Sequence, residues 1–316
     1  MKPRFVALAK TFLPFLSAAV ALRCDSIAFA RSFEFLEKDL QVEEYAPTKA
    51  EQFIPYDTSV PPGAMTVTHR LVSQVGKAKW VDGYAGDLPI VDVKAQEFSV
   101  DCRTFGVKYH WTLEELDAVA MDPTVRLDVE RKKSASDACR RFHDEVAAIG
   151  SAEFGRKGFI NATVVPLVTP ITGTWSSATD DQVIADVQKL IEAPRVATLD
   201  NHQADTLLVG DLGWARLNRP YGDNKTYTLR KWLLENIDGL KEIAVWDRLN
   251  LANAAGNGQR IMAYKKSKEV VKYFSVITFK EEAPQPKDLR VDVPCRAKSG
   301  FTNFRIPLAA AYMDGI

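Results

Sequence analysis

Apolar and polar residues alternate along residues 61–103 in the pattern of two long β-strands. In the first strand, large side chains recur at every second position from Met65 to Leu71. The second strand alternates as well, but its apolar positions change parity between Ala95 and Phe98. A parity change inside one strand predicts a β-bulge, here near residues 96–97. The intervening segment is rich in Gly, Asp and Lys, which predicts an exposed hairpin tip.

The length of this hairpin leaves two arrangements open. An arm of roughly 11 residues spans about 35 Å, whereas a compact domain of this size has a radius of gyration of about 20 Å. The hairpin either protrudes, with its apolar face covered by another molecule, or folds back onto a large sheet. A protruding hairpin would make the chain a building block of an assembly and not a self-contained enzyme.

The rest of the chain combines helical and strand periods, so we expect the α+β class. Thr112 with Glu115, and Thr179 with Gln182, have the spacing of capping boxes that open helices. The strongest helical pattern predicts a long helix over residues 125–152 with one buried face. That face consists of Ala135, Ala138, Cys139, Phe142, Val146 and Ile149.

Shorter patterns predict the remaining elements. The second capped helix is expected to stop at Pro194. Three more short helices are expected, one over residues 32–45, one capped by Asp211 and one opened by Thr228. Strands are expected at 207–209, 243–245, 261–264, 270–276, 289–293 and 301–306, with a turn-rich loop at 253–258.

Charge is balanced over the whole chain but not along it. The 316 residues include 41 basic and 41 acidic side chains, so the overall charge indicates no polyanionic partner. Residues 1–31 contain five basic residues and one acidic residue, a net charge of +4. A basic arm of this kind suits nucleic acid or lipid, and a solvated tail is the alternative. The candidates for facing DNA are Lys2, Arg4, Lys10, Arg23 and Arg31.

The N-terminal segment also has two interpretations. Lys2 and Arg4 precede an apolar run at 12–22 and small residues at 28–30, which resembles a secretory signal. The same run shows amphipathic helical spacing and is too short to cross a bilayer. Because the chain begins at Met1, we expect a retained arm over a cleaved signal. No later segment has the composition of a membrane span, so we expect no membrane partner.

Patterns that carry catalytic or metal chemistry were not found. The four cysteines form no CxxC pair, and the four histidines form no HxxxH or HExxH spacing. No GxSxG elbow, Walker loop or dinucleotide loop occurs. We therefore expect no enzyme activity, metal or cofactor. The hairpin tip instead combines aromatic and charged residues suited to a subunit contact, namely Lys77, Lys79, Trp80, Asp82, Tyr84 and Asp87.

Several strings resemble one family, the major capsid proteins of tailed bacteriophages. They are the segments at 57–63, 85–93, 158–161, 293–300, 305–308 and 312–316. This resemblance covers roughly residues 32–316. It implies the Hong Kong 97-like capsid fold, with an N-terminal arm (1–60), an extended E-loop hairpin (61–103), a peripheral domain with a long spine helix (104–158), an axial domain (159–283) and return strands of the peripheral domain (284–316).

The resemblance also implies a function. Such proteins form hexamers and pentamers that close into an icosahedral shell around double-stranded DNA, with portal and decoration proteins as further partners. The chain would then be made in the host cytoplasm and reside in the virion capsid. Three alternatives remain: an encapsulin-like compartment shell, a secreted binding protein with a signal, and a hydrolase using scattered His and Asp residues.

Overall fold

The computed structural model describes residues 45–80, 88–121, 127–171, 173–221, 227–251 and 259–316. Several predicted features lie outside these residues: the helix expected over 32–45, apart from its last residue, and the loop expected at 253–258. The same holds for the arm residues Lys2, Arg4, Lys10, Arg23 and Arg31, and for the tip residues Asp82, Tyr84 and Asp87.

Within the described residues the chain mixes helices and strands, as predicted. The helices are α1 (Ala50–Phe53), α2 (Leu113–Met121), α3 (Leu127–Ala148), α4 (Asp180–Ala197), α5 (Asp211–Leu217) and α6 (Leu229–Asn236). Two 3-10 turns lie at Asp247–Leu251 and Pro307–Ala309. The strands are β1 (Tyr56–Asp57), β2 (Thr66–Val75), β3 (Asp92–Asp101), β4 (Arg103–Thr112), β5 (Gly150–Ser151), β6 (Arg156–Lys157), β7 (Leu167–Val168), β8 (Thr206–Val209), β9 (Pro220–Tyr221), β10 (Tyr227–Thr228), β11 (Glu242–Val245), β12 (Arg260–Tyr264), β13 (Val271–Glu281), β14 (Gln285–Lys287), β15 (Arg290–Phe304) and β16 (Ala310–Asp314).

Two larger sheets organise the body. In the first, β15 pairs antiparallel with β13 on one side and with β4 on the other, and β1 runs parallel to β13. In the second, the strand order is β11-β8-β12-β16-β7. All four residues of β8 are buried, as expected for a strand covered on both faces. The helix α3 packs along the first sheet, and α4 packs against the second.

Two large hydrophobic clusters pack the sheets, and the first of them includes residues of both. One cluster surrounds Phe159, Trp246 and Tyr273 beside the first sheet, and the other surrounds Leu190 and Leu207 between α4 and the second sheet. Fully burying a side chain of this size stabilises the fold by about 1.5–3 kcal/mol relative to leaving it exposed. The two clusters therefore stabilise the body of the chain.

The helix starts agree with the sequence predictions better than the helix ends do. Both capping boxes form, at Thr112 and Thr179. The long helix α3 ends at Ala148 and not at 152, because Gly150 turns the chain with φ +88°, a conformation that glycine adopts without strain. Pro194 does not stop α4, which continues to Ala197. Asp211 is the first residue of α5, and Gly210 holds the capping position.

The C-terminal strands also differ from expectation. The two strands expected at 289–293 and 301–306 are a single 15-residue strand, β15. The sequence predicted two strands here because Pro294 and Gly300, which commonly interrupt strands, lie between them. The last strand, β16, was not predicted. It lies in the second sheet between β12 and β7.

Candidate assembly surface

The strands β2 and β3 form a two-stranded antiparallel ribbon, and among the described strands they pair only with each other. The arrangement in which the hairpin folds back onto a large sheet is therefore wrong. The register runs without a shift from the Thr66–Asp101 pair to the Val75–Asp92 pair. The bulge expected near residues 96–97 is absent from this ribbon. The parity change has a different cause: the apolar side chains move from one face of the ribbon to the other.

The two faces of the ribbon can be named from this register. The inner face carries the cross-strand pairs Val67–Val100 and His69–Phe98. The outer face carries Thr68–Ser99 and Arg70–Glu97 near the root, and then Val72–Ala95 and Gln74–Val93 towards the tip. The inner face is apolar near the root and mixed towards the tip, where Leu71 and Val75 lie among polar residues, whereas the outer face is mainly apolar only towards the tip.

The root of the inner face is held by the body of the same chain. Val100 is buried in the first core, and Val67 packs against that core. The His69 ring stacks on Phe98 with centroids 5.3 Å apart, and its Nδ1 lies 3.1 Å from Nδ2 of Asn303 in β15. Burial lowers the pKa of His69, and the charges of Arg305 and Lys272 lower it further. The neutral ring is therefore favoured at the root.

Further bonds anchor the chain on either side of the ribbon. The backbone N–H of Cys102 donates to the Met65 carbonyl at 2.8 Å. Lys298 Nζ donates to the Pro62 carbonyl at 2.9 Å. Asp57 forms a half-buried ion pair with Lys272. Burial opposes ionisation of Asp57, but hydrogen bonds from Lys272 and Ser59 outweigh it and hold the pKa of Asp57 well below its usual range.

The distal half of the ribbon has no such cover within the described residues. Val72 and Val93 are 59% and 58% exposed on the outer face. Beyond them, Gly76 lies against Val91, and a Cβ on Gly76 would come within 2.8 Å of the Val91 side chain. Close approach of the two backbones at this point thus depends on glycine. The result is a flat strip of small and branched apolar side chains.

The tip of the ribbon is described only in part. Lys77, Lys79 and Trp80 are exposed, and the Trp80 ring is fully so. The sequence-based contact set omitted Leu88 and Ile90, which are exposed on the returning arm. Both residues directly follow the predicted turn, and this position in the sequence could have placed them in the contact set. An exposed apolar strip of this kind on a folded chain indicates an interaction surface.

Buried charges join the two sheets, and the sequence analysis missed them. Asp144 Oδ1 accepts the backbone N–H of Ala50 at 2.7 Å, and its Oδ2 accepts Arg248 Nη2 at 2.9 Å. The neighbouring His143 lies 2.9 Å from the Tyr273 hydroxyl. The predicted buried face of α3 included neither residue, yet both are buried. Ala135, Cys139 and Val146 of that face are buried as predicted, whereas Phe142 and Ile149 are exposed.

A second buried pair lies within the second sheet, beside a cleft that Arg248 also lines. Arg260 at the start of β12 makes a bidentate pair with Asp314 of β16, at 2.6 and 2.7 Å. Its third guanidinium nitrogen, Nη1, donates to the Ile160 carbonyl at 2.7 Å, and the guanidinium lies over the Tyr312 ring. Bidentate Arg–carboxylate pairs are the strong type of ion pair.

The described residues give little support to metal binding, membrane insertion or thiol reactivity. No group of His, Cys, Asp or Glu side chains in the described part of the chain could hold a metal ion. None of the helices searched there is long and apolar enough to cross a membrane. Cys102, Cys139 and Cys295 are buried free thiols, and burial raises the pKa of each, which disfavours the reactive thiolate. A cleft of about 910 Å³ is lined in part by Arg248 and Arg260, which the ion pairs above already engage.

Comparison with known proteins adds an independent observation. A family described as "Major capsid protein" matches residues 76–316. The fold matches the capsid of Myoviridae phage XM1 with a TM-score of 0.79 at 14% identity, over 92% of this chain and 99% of that one. It also matches Mycobacterium phage Ogopogo (TM-score 0.57, 12% identity, 92% and 99% covered) and Microbacterium phage Oxtober96 (TM-score 0.59, 14% identity, 94% and 97% covered). No curated protein matches the chain.

Proposed function

The chain belongs to the major capsid protein family, and from this premise we propose that it assembles as hexamers and pentamers into an icosahedral shell enclosing double-stranded DNA. Its role is structural, in the virion capsid, following synthesis in the host cytoplasm. The observation that carries the proposal is the ribbon β2–β3, whose distal apolar side chains remain exposed on the single chain. Such a surface is stabilised only when other copies cover it.

We assign the regions of the Hong Kong 97-like fold to this chain as follows. The ribbon takes the place of the E-loop, the first sheet with α3 takes that of the peripheral domain and its spine, and the second sheet takes that of the axial domain. The position of β16 beside β12 supports placing residues 310–314 in the axial part. Each copy would contact several neighbours, so modest individual contacts sum to a stable shell.

The basic N-terminal arm is proposed to face the packaged DNA. The candidates remain Lys2, Arg4, Lys10, Arg23 and Arg31, and the support is their net charge of +4 in residues 1–31. Attraction to phosphates is not sequence-specific and weakens with salt. Removing residues 1–31 should weaken binding of DNA to the inner surface of shells that still assemble. Unchanged, salt-independent DNA binding by those shells would refute this role. Portal and decoration proteins are further proposed partners.

Electron microscopy of the expressed full chain tests assembly directly. We expect closed particles of uniform size, and DNA inside particles isolated from infected cells. A variant in which residues 76–87 are replaced by a short Gly-Ser turn should remain folded but form no closed shells. The matched control replaces residues 253–258, which the sequence predicts to be a turn-rich loop, in the same way. Normal shells from the first variant would contradict the role of the ribbon.

A further inference from the structure

We propose that Arg305 is the centre of a binding site for a phosphate group at the root of the ribbon, with His69 and Lys272 beside it. The phosphate is supplied either by inorganic phosphate or by a nucleic-acid backbone. This inference goes beyond the proposed function, because the site lies within a single copy and needs no shell. A phosphate held there would link the ribbon, which carries His69, to the body, which carries Arg305.

The side chain of Arg305 is a charged group without a partner. It is partly buried, and its Nε atom is buried without a hydrogen-bond acceptor. Within the described residues, no ion pair engages its guanidinium. An arginine side chain is always charged, and a desolvated donor that lacks an acceptor is unfavourable, the more so on a charged group. An anion bound to the guanidinium would supply the acceptor.

Backbone pairing fixes Arg305 beside the root of the ribbon. Its backbone N–H donates to the Val270 carbonyl at 2.8 Å, next to the start of β13. Asn303, two positions earlier, lies opposite Lys272 of β13, and its Nδ2 is 3.1 Å from Nδ1 of His69. Residues two positions apart in extended backbone point to the same side of a sheet. Arg305 therefore lies on the side of the first sheet that the ribbon root covers.

The electrostatics of His69 locate the same group of charges independently. Burial is the main cause of the lowered pKa of His69, and the charges of Arg305 and Lys272 lower it further. Both cations therefore lie close enough to act on one ring. Lys272 is compensated by its ion pair with Asp57, whereas Arg305 has no carboxylate partner among the described residues. The site thus holds one uncompensated positive charge, beside a ring that can accept a second.

This charge distribution suits a phosphate group. The planar fork of an arginine can bind a phosphate through two parallel N–H donors. A phosphodiester carries one negative charge, which Arg305 alone balances. A free phosphate carries a second charge near neutral pH, and a proton taken up by His69 would balance it. The site can therefore accept either form, and the response of His69 differs between them.

Titration of the unassembled full chain with inorganic phosphate tests the site. At millimolar phosphate and constant ionic strength, where general salt effects are small, the thermal unfolding midpoint should rise and then level off. Chloride should not produce this rise. In Arg305→Gln the affinity for phosphate should fall at least about tenfold. The matched control is Arg290→Gln at the other end of β15, which removes the same charge from an arginine already paired with Asp292. This control should respond like the wild type.

The ring of His69 provides a second readout, which a purely structural role of Arg305 would not affect. A bound anion offsets the charge of Arg305 at the ring, so saturating phosphate should raise the pKa of His69. NMR titration measures this pKa, with the His69 signals assigned by their loss in His69→Gln. The rise should be absent in Arg305→Gln. A short DNA duplex then identifies the source of the phosphate: displacement of inorganic phosphate indicates a nucleic-acid backbone, and no displacement indicates free phosphate.

Three results would overturn the site: no saturable response to phosphate, an equal loss of the response in both arginine variants, or an unchanged response in Arg305→Gln. If Arg305→Gln lowers the unfolding midpoint in chloride, Arg305→Lys replaces it. Lysine keeps the charge but not the fork, so the affinity should again fall, and an unchanged affinity would contradict the role of the guanidinium. All these measurements use unassembled chain. A failed site therefore leaves the proposed shell untouched, and a chain that binds phosphate but forms no shells contradicts only the shell.

Discussion

The ribbon and the junction between the two sheets differ in how their charged and apolar side chains are covered. At the junction, charged groups are buried and each of the three guanidinium nitrogens of Arg260 donates to an acceptor within its own chain. On the ribbon, the charged pair Arg70–Glu97 is exposed and the apolar side chains beyond it are exposed as well. The charges at the junction find partners within a single copy, whereas the distal ribbon has no cover within the described residues.

This difference separates the contacts that fold the chain from those that assemble it. Substitutions at the junction should lower the stability of the single chain, because they leave buried charge without a partner. Substitutions on the distal ribbon should leave that stability unchanged and alter only association. Measuring both properties for the same set of variants tests whether the two regions are as independent as the structure indicates.

The largest expected effect is at Arg260. Replacing Arg260 by Leu removes a residue that is 4% exposed and takes away the bidentate partner of the largely buried Asp314 carboxylate. We expect the free energy of unfolding to fall by about 3–5 kcal/mol, measured by urea denaturation of the unassembled chain. Combining Arg260→Leu with Asp314→Leu should recover part of the loss, since no buried charge then remains. An effect below about 1 kcal/mol would show that the pair does not hold the second sheet.

A smaller effect is expected at the ribbon root. Asp57→Ala removes the partner of Lys272, whose side chain is 12% exposed, and we expect a loss of about 1.5–3 kcal/mol. Asp92→Ala, an exposed position at the distal end of the ribbon, is the control and should be close to neutral. If Asp57→Ala abolished shell formation without lowering stability, the root would have to be regarded as part of the assembly surface.

How much of this contrast could be predicted from the sequence depends on the distance between partners. The capping boxes at Thr112 and Thr179 involve residues three positions apart, and both were predicted correctly. The burial of His143 and Asp144 was not predicted, because Tyr273 and Arg248 lie 130 and 104 positions away. Apolar spacing carries no information about a buried charge whose partner is that remote in the chain.

The ribbon shows a second limit of pattern reasoning. The alternation in β2 and β3 predicted both strands, and the family strings predicted the fold class that the comparisons support. The parity change was interpreted as a bulge because a strand was assumed to have one covered face. In β3 the apolar residues lie on one face near the root and on the other face near the tip, so an uninterrupted register carries the same pattern. Residues such as Val93 reveal this only once their cross-strand partners are known.

A modest pH effect should arise from His143. Burial lowers the pKa of His143 below its ordinary value of 6.5, so the unfolded chain takes up a proton before the folded one does. Stability should therefore be complete above about pH 6.5 and fall as the pH decreases, by at most about 1.4 kcal/mol per pH unit for one site. His143→Gln should flatten this slope, and the exposed His110→Gln control should not. His69 contributes in the same direction, so some slope should remain. Equal slopes for His143→Gln and the wild type, from urea denaturation between pH 5 and 7, would contradict the role of His143.

The smallest expected effect is at Arg70, the exposed counterpart of Arg260. Its partner Glu97 is a cross-strand neighbour at 2.7 Å, but both side chains are more than half exposed. Exposed ion pairs contribute about 0–1 kcal/mol, so Arg70→Ala should shift the unfolding midpoint only slightly. At high salt the pair is screened, and this shift should be too small to measure. The pair nevertheless borders the apolar strip on the outer face, where a neighbouring copy would exclude water. Arg70→Ala should therefore affect shell yield more than the stability of the single chain, the reverse of the order expected for Arg260→Leu. A loss of chain stability comparable to that of Arg260→Leu would show that the ribbon is held by its own body along its whole length.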